Sequence, residues 1–301
     1  MDTVVIGCGY VGMRVAKHLA SQGHRVYGIR RQITKSTEFV HAGVIPLEID
    51  IRVPEQLELI PKTVQWAVNA VSSSKRGADG YREIYYNGTR SVIRHLSALP
   101  DFRHYVHTSS TSVYGQTDGS WINEEAERQP STETSQILVE VEDHLQSAYR
   151  ENGFPASIAR VSGIYGPERG FLFQQFLKNE AKMIGNGSRI INMVHVDDVV
   201  LAITRILESG KPGVAYNITD SCPTSQLDFF SWFASELQRP LPKSASETEL
   251  KQRKRAITNK RVSNQRLIEE LRHNLLYPTF REGYAADIRR VIGETSTSMR
   301  R

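Results

Sequence analysis

A glycine loop close to the first residue constrains the fold more than any other feature of the sequence. Gly7, Gly9 and Gly12 form the pattern G-x-G-x-x-G. The loop follows a β-branched run at residues 3–7, which has the continuous apolar pattern of a strand buried on both faces. Apolar residues at helical spacing then cover residues 10–22. A strand, a glycine loop and a helix in this order predict a turn that binds a dinucleotide.

Each position of the loop has a physical reason in such a turn. Gly7 makes the tight turn, Gly9 leaves room for a pyrophosphate against the backbone, and Gly12 lets the helix pack closely on the strand. Tyr10 and Val11 open the helix, whose free N–H groups and dipole favour an anion. We predict that these five residues bind the cofactor. The alternative is a tight strand-to-helix turn without a ligand.

Strands alternate with helices over the first 166 residues, which predicts an α/β fold with a Rossmann-type, doubly wound parallel sheet. We place the dinucleotide-binding domain at residues 1–166, with a return segment near residues 190–207. A smaller C-terminal substrate lobe covers residues 167–292, and residues 293–301 are predicted to be a disordered tail. Further strands are predicted at residues 24–30, 44–50, 65–71, 104–110 and 156–166. Helices are predicted at residues 81–99, 135–153, 171–183 and 225–238.

The end of the second predicted strand indicates which dinucleotide is bound. Arg30 and Arg31 lie where a carboxylate would bind the ribose 2′-hydroxyl of NAD, and the next acidic residue is Glu38. Two guanidinium groups favour a 2′-phosphate, both by charge and by the geometry of their donors. We therefore expect NADP to be preferred, with NAD as the other option. The alternative is that both arginines only face solvent at the end of a strand.

Composition limits the classes of function. No apolar run approaches the roughly 20 residues of a membrane span, and the start of the chain lacks the pattern of a secretory signal. Cys8 and Cys222 are too few for a disulfide framework, so we expect a reducing, cytoplasmic location. Histidines and cysteines do not occur at metal-ligand spacing, so no metal site is predicted.

One cluster of positive charge stands out, although the net charge is only +5. Residues 251–261 carry six basic and no acidic residues. Such a run is typical of a solvent-exposed loop or helix face. The functional alternative is that it binds a phosphate-bearing substrate. No aromatic residues are interleaved with it, so nucleic-acid binding is not predicted.

Several short motifs, taken in order, resemble the extended short-chain dehydrogenase/reductase superfamily, in its NAD-dependent epimerase/dehydratase family. They follow the glycine loop in the order and with the spacing of the family pattern. The motifs are Asp50-Ile51, Asn69-Ala70, Asn87–Thr89, Ser109–Gly115, Arg160–Pro167, His195–Val199 and Tyr216–Ile218.

The resemblance implies roles for the cofactor-binding residues. Asp50 and Ile51 would flank the adenine. Asn69, Ala70 and Val71 would run beneath the ribose and nicotinamide side of the cofactor.

It also implies roles beyond the cofactor. Ser110 would hydrogen-bond the reacting oxygen. Asn87 would be a structural, water-holding residue, and His195 and Asp197 would pack the substrate lobe on the core.

The departure from the family pattern concerns the catalytic acid/base. Family enzymes carry Tyr-x-x-x-Lys at the start of a long helix, where the lysine lowers the pKa of the tyrosine. Alignment on Pro130 and Glu142 places Thr134 at the tyrosine position and Leu138 at the lysine position. The sequence therefore resembles the branch of the superfamily that lacks this pair. Tyr114 is the candidate that could replace the tyrosine.

Other tyrosines near the expected cofactor edge are weaker candidates. Tyr81, Tyr85 and Tyr86 lie on one predicted helix, and packing or subunit contact explains them better.

Two hypotheses follow for the function. The first is an NADP-dependent oxidoreductase or epimerase-like enzyme that acts on a hydroxyl or carbonyl of a small molecule such as a nucleotide sugar. The second is a catalytically inactive NADP(H)-binding sensor or scaffold protein. Ser110 favours the first hypothesis, and the loss of the tyrosine and lysine favours the second. Both hypotheses are compatible with a homodimer.

Overall fold

The computed structural model describes residues 1–72, 77–251 and 257–298. The strands are β1 (Asp2–Ile6), β2 (Arg25–Arg30), β3 (Val44–Glu48), β4 (Trp66–Asn69), β5 (His104–Ser110), β6 (Trp121–Ile122), β7 (Ala156–Val161), β8 (Gly163–Tyr165), β9 (Ile190–Ile191), β10 (Met193–His195), β11 (Ala215–Ile218), β12 (Thr224–Ser225) and β13 (Arg261–Val262). The α-helices are α1 (Tyr10–Ser21), α2 (Thr37–His41), α3 (Ala78–Tyr81), α4 (Thr89–Ser97), α5 (Glu133–Asn152), α6 (Phe171–Leu177), α7 (Val196–Ser209), α8 (Gln226–Leu237), α9 (Glu247–Lys251), α10 (Gln265–Leu271) and α11 (Phe280–Ser298). A π-helical segment, Arg82–Gly88, joins α3 to α4, and 3₁₀ turns lie at Pro54–Leu59 and Thr111–Val113.

A central sheet of seven parallel strands organises the molecule. Its order is β11-β7-β5-β4-β1-β2-β3, and each neighbouring pair is parallel. The chain fills one half of the sheet from β1 to β3, then crosses back and fills the other half from β4 outward. This is the doubly wound order, so the predicted Rossmann fold is confirmed.

Helices cover both faces of the sheet. On one face, α1 and α7 bury Val15, Leu19 and Ile203 against the strands. On the other face, α4 and α5 bury Val92 and Leu145. Because both faces are covered, the strands have continuous apolar sequences rather than alternating ones.

The strand predicted at residues 156–166 is two strands. β7 belongs to the central sheet, whereas β8 pairs with β10 in a separate two-stranded sheet. Between them, the Ser162 N–H still donates to the carbonyl of Ile218, at 3.0 Å, but the Gly163 N–H donates to the carbonyl of Asn192, at 3.2 Å. The chain therefore leaves the central sheet at this point.

The return to the sheet also differs in detail from the prediction. Residues 190–207 hold β9, β10 and most of α7, and α7 packs against α1 and β5. The strand that joins the sheet is β11, at residues 215–218, which follows the predicted segment.

The structure differs from the prediction at one helix end and in the tail. The helix predicted at residues 171–183 ends at Leu177, because Asn179 has a positive φ of 59° and turns the chain. The predicted disordered tail at residues 293–301 is largely helical, since α11 continues to Ser298, and residues 299–301 lie outside the described residues. A polar sequence can extend a helix that is already nucleated, because each added residue costs little.

Three of the helices that follow β8 form a smaller lobe with an aromatic core. Its side chains come from α6, α8 and α11, and include Phe173, Phe229, Phe233, Phe280 and Tyr284. Ring centroids lie 4.7 Å apart for Phe173 and Phe233, and 4.8 Å apart for Phe229 and Phe233. In the part of the chain that the structure describes, we find no helix with the length and hydropathy required to span a bilayer.

Candidate cofactor and catalytic site

The glycine loop makes the turn between β1 and α1. Gly7 has a φ of +88°, which disfavours any side chain, and its N–H donates to the carbonyl of Ile29 at 3.1 Å. A Cβ on Gly7 would lie 2.7 Å from the Cα of Val71. The turn therefore requires glycine for its backbone angle and for its closeness to the segment after β4.

Gly9 and Gly12 have opposite surroundings. A Cβ on Gly12 would overlap the carbonyl oxygen of Gly7, so this glycine lets the helix approach the turn. A Cβ on Gly9 would meet nothing within 4 Å, and Gly9 is exposed. Gly9 thus leaves an open space at the N-terminus of α1, which is where a pyrophosphate fits.

Tyr10 connects this loop to the chain that follows β8. Its hydroxyl donates to the carbonyl of Pro167 at 2.7 Å. The guanidinium carbons of Arg14 and Arg169 lie 4.0 and 4.5 Å from the centre of its ring. Two cationic groups therefore lie beside the open end of α1. Val11 is half-buried and packs on the core.

Arg30 and Arg31 differ in their partners. The Nε of Arg30 donates to the carbonyl of Cys8, and its two Nη atoms donate to the Glu38 carboxylate at 2.8 and 3.1 Å. The Arg30 guanidinium also lies over the ring of buried Phe39. Arg31 is exposed, and the described residues offer it no hydrogen bond or ion pair. The sequence predicted both arginines at this edge but not the partner of Arg30.

Asp50 and Ile51 follow β3 at the same edge of the sheet. The Asp50 carboxylate accepts hydrogen bonds from Arg52, at 2.8 Å from Nε and 2.5 Å from Nη2. These bonds hold the pKa of Asp50 below its usual range. Ile51 is buried in the core and lies against Gly88. The two residues thus lie at the predicted edge, although Ile51 points into the core.

The segment at residues 69–71 lies against the glycine loop. Buried Asn69 donates from Nδ2 to Tyr105 at 2.8 Å and accepts the Val71 N–H at 3.3 Å. The Ala70 N–H donates to the carbonyl of Ile6, at 2.8 Å, which fixes the segment beside β1. The structure thereby brings together two parts of the predicted cofactor site that are 60 residues apart in the sequence.

Ser110 ends β5 at the same edge. Its Oγ accepts the backbone N–H of Ser112 at 3.1 Å. Within the described residues its own hydroxyl proton has no acceptor, and the side chain is half-exposed. Ser110 can therefore donate a hydrogen bond to a substrate oxygen.

Tyr114 is fully buried, in contrast to Ser110. Its hydroxyl accepts from Nη1 of Arg160 at 2.6 Å and donates to Oδ1 of Asn217 at 3.0 Å. Burial raises its pKa. Arg160 in turn binds the buried Glu142 carboxylate, at 2.7 Å from Nη2. This placement argues against the expectation that Tyr114 replaces the catalytic tyrosine, since its hydroxyl is used within a buried network.

The start of α5 holds the two residues at the positions of the missing pair. Thr134 lies in the first turn, where its Oγ1 is 3.1 Å from the Oγ1 of Thr132, which caps the helix. Leu138 is only 3 % exposed and packs with Val113 and Val262. The lysine position has therefore become part of an apolar cluster.

Lys260 is a functional candidate that the sequence did not single out. It is 5 % exposed, and its Nζ donates to the carbonyl of Tyr114 and to the Thr258 hydroxyl. No carboxylate among the described residues pairs with it, and burial lowers its pKa to about 8. It belongs to the basic run at 251–261, of which residues 252–256 lie outside the described residues. The one sign in the sequence that Lys260 lacks a carboxylate partner is that residues 251–261 contain no acidic residue.

His195, Tyr81 and Tyr85 contact other residues of the fold. His195 caps the N-terminus of α7, accepts the Asp197 N–H at Nδ1, and its ring centre lies 4.1 Å from that of Tyr277. Asn87 is exposed, and the rings of Tyr81 and Tyr85 are stacked at 4.1 Å.

Two open pockets lie outside the glycine loop. One, of about 440 Å³, lies between α3 and the start of α5, beside Thr132 and Gln136. The other, of about 530 Å³, lies in the smaller lobe and is lined by Cys222, Asp228, Arg261 and Arg281, among others. In the described part of the chain, no three His, Cys, Asp or Glu side chains are grouped as a metal site would require.

Comparison with known proteins gives a family match over most of the chain. The profile of the NAD dependent epimerase/dehydratase family matches residues 3–219. Protein YeeZ of Escherichia coli strain K12 is 29% identical over 224 residues, which cover 71% of this chain and 76% of that protein.

Solved structures show the same fold. The UDP-glucose 4-epimerase of Thermotoga maritima, solved with UDP-glucose, has a TM-score of 0.82 at 16% identity, and the match covers 98% of this chain and all of that one. The dTDP-glucose 4,6-dehydratase of Bacillus anthracis, solved in complex with NAD, has a TM-score of 0.80 at 18% identity, and the match covers 96% of each chain. At these identities the likeness concerns the fold.

Proposed function

Since the chain belongs to the NAD-dependent epimerase/dehydratase family, we propose that it is a nicotinamide-dependent oxidoreductase or epimerase-like enzyme with an altered active site. Its substrate would be a small molecule with a hydroxyl or carbonyl group, such as a nucleotide sugar. The observation that carries the proposal is the meeting of three strand ends. Gly9 after β1, Asn69 at the end of β4 and Ser110 at the end of β5 lie at the carboxyl edge of one parallel sheet, which is where such folds bind ligands.

The proposed cofactor site consists of residues whose surroundings fit a dinucleotide. The open space at Gly9 and the N-terminus of α1 would take the pyrophosphate, together with Tyr10 and Val11. Gly7 and Gly12 shape the turn, and the loop's neighbours at residues 69–71 would run beneath the cofactor. Asp50 and Ile51 would border the adenine.

The proposal includes a preference for NADP. Arg31 is exposed and makes no hydrogen bond or ion pair within the described residues, although its charge acts on the Asp50 carboxylate, so it would bind a 2′-phosphate. Arg30 lies next to it and would assist. NAD remains the alternative, in keeping with the NAD complex of the Bacillus anthracis dehydratase.

The chemistry assigned to this chain is limited. When bound, the nicotinamide supplies hydride transfer. Ser110 donates its hydroxyl proton in a hydrogen bond to the substrate oxygen and so orients and polarises it. Because Thr134 and Leu138 supply no acid/base, water carries the proton released from an alcohol or taken up by a carbonyl. Removing the positioned base costs roughly 10² to 10⁴ in rate, so we expect slow turnover.

One set of observations favours the second candidate, an NADP(H)-binding sensor or scaffold. The Tyr114 hydroxyl is used within the fold and Leu138 is packed in an apolar cluster. Under this hypothesis the cofactor binds but is not turned over. A cytoplasmic location and a homodimer stay predictions from the sequence under both hypotheses.

An assay of NADP(H) absorbance and products over a panel of nucleotide sugars tests the proposal. We expect slow turnover by the wild type and a roughly hundredfold lower kcat for Ser110→Ala, since one donor to the reacting oxygen is lost. Ser112→Ala, two residues away, is the matched control and should keep at least half of the activity. Cofactor binding without turnover would favour the sensor. Loss of turnover in Tyr114→Phe without loss of stability would restore Tyr114 as the acid/base.

A further inference from the structure

The contacts of Arg30 bear on which dinucleotide is bound. Arg30 is held in place on three sides, because its Nε donates to the carbonyl of Cys8 in the glycine loop, its guanidinium lies over Phe39 and its two Nη atoms donate to Glu38. The guanidinium is therefore already located at the turn where the adenosine ribose would lie. A ligand does not have to order it.

The Glu38 carboxylate removes much of what Arg30 could offer to a phosphate. A guanidinium has five N–H donors, and the contacts with Cys8 and Glu38 use three of them, one at Nε and one at each Nη. Two donors remain, but the paired charges cancel, and a 2′-phosphate would approach a carboxylate as well as a guanidinium. Arg31 has no such partner among the described residues.

The pair is also accessible enough for a ligand to compete with it. The side chains of Arg30 and Glu38 are 31% and 48% exposed. Ion pairs at this level of exposure are weak, because water screens them. A small change at Glu38 can therefore change the partner of Arg30.

We infer that Glu38 is a specificity-determining residue, because by neutralising Arg30 it lowers the preference for NADP over NAD. The inference rests on the proposed cofactor site. Arg31 gives the wild type a modest preference for the phosphorylated cofactor. Arg30 would add to this preference if its ion pair with Glu38 were broken. The sequence shows no carboxylate directly at the end of β2, but the fold supplies one from eight residues further on.

Calorimetric titration of NADPH and NADH into four variants tests this. For Glu38→Gln we expect about tenfold tighter binding of NADPH, since a charge-assisted contact becomes available, and unchanged NADH binding. Arg30→Gln should weaken NADPH more than NADH, since it removes a positive charge in addition to the contact with the Cys8 carbonyl of the glycine loop. The gain from Glu38→Gln should be much smaller in the Arg30→Gln background, because most of the effect of Glu38 acts through Arg30. The gain in Glu38→Gln should shrink at high salt.

Glu48→Gln is the matched control. Glu48 is an exposed carboxylate at the end of neighbouring β3, but it accepts the backbone N–H of Ile33 and does not pair with Arg30. An equal gain for NADPH in Glu48→Gln would overturn the inference in favour of a general charge effect. So would an unchanged NADPH affinity in Glu38→Gln, or an equal gain for NADH. Failure of the wild type to bind either cofactor would refute the proposed function as well, and melting temperatures confirm that each variant is folded.

Discussion

The glycine-loop end of the sheet and the start of α5 differ in what surrounds their candidate functional residues. At the glycine loop, Gly9 faces open space and two arginines lie beside the N-terminus of α1. At the start of α5, Leu138 is packed among apolar side chains and Thr134 bonds within the helix cap. The space at Gly9 is open, whereas the lysine position at the start of α5 is closed by packing.

The difference teaches that cofactor binding and proton transfer are separable in this fold. The loop depends on backbone geometry and on the dipole of α1, neither of which involves α5. The catalytic pair depends on two side chains one helical turn apart, which can change without disturbing the sheet. Variants that affect one region but not the other test this separation.

The largest expected effect concerns Gly9. We expect Gly9→Val to weaken cofactor binding at least about a hundredfold, because the added side chain fills the space where the pyrophosphate would lie. The melting temperature should be unchanged, since a Cβ there meets nothing within 4 Å. Calorimetric titration and thermal melting measure the two quantities.

Gly12→Val is the contrasting variant. Its side chain would overlap the carbonyl oxygen of Gly7, so we expect loss of stability together with loss of binding. If Gly9→Val bound cofactor normally, the loop would be only a structural turn and the comparison would fail.

The next largest effect is expected at Leu138. Leu138→Lys would bury an amine among Val113, Val139 and Val262, at a cost of about 4 kcal/mol in the free energy of unfolding. Leu138→Met keeps the volume and should cost less than about 1.5 kcal/mol. Urea denaturation measures both. A stable Leu138→Lys protein with faster turnover when combined with Thr134→Tyr would show that the position is still open to the cofactor.

A smaller, pH-dependent effect is expected at Lys260, whose buried amine donates to the carbonyl of Tyr114. Burial lowers its pKa to about 8 from its ordinary value of 10.5. Between these pH values the unfolded chain binds more protons than the folded chain, so this group makes the free energy of unfolding rise with pH. The rise should be at most about 3 kcal/mol.

Denaturation at pH 8, 9 and 10 checks the sign. The stability of the wild type relative to Lys260→Met should increase over this range, because the variant lacks the titrating amine. Lys17→Met removes an exposed lysine on α1 and is the control. A difference that is flat between pH 8 and 10 would mean that the Lys260 amine is solvated or paired with an anion.

The sequence predicted the fold well, for a local reason. Buried strands, amphipathic helices and the glycine loop are patterns within about 20 residues of chain. The fold and the family, which the resemblance suggested, are confirmed. The cofactor residues stay predictions, but residues 7–12 and 69–71 do lie side by side.

The sequence could not predict how side chains far apart in the chain are paired. Tyr114 is engaged by Arg160 and Asn217, and Lys260 by the carbonyl of Tyr114, over separations of 46 to 146 residues. Such contacts depend on tertiary packing, which leaves no periodic signal. The extension of α11 to Ser298 was missed for a related reason, because a polar segment shows no apolar period.

The order of strands in the sheet has a consequence for how the chain reaches its native state. β7 is buried along its whole length, and its outer neighbour β11 comes from residues 215–218. A nascent chain that has left the ribosome only as far as residue 166 therefore exposes the unpaired backbone N–H and C=O groups on the β11 side of β7, and exposed strand edges of this kind promote aggregation. The seven-stranded sheet is therefore complete only when translation has passed residue 218.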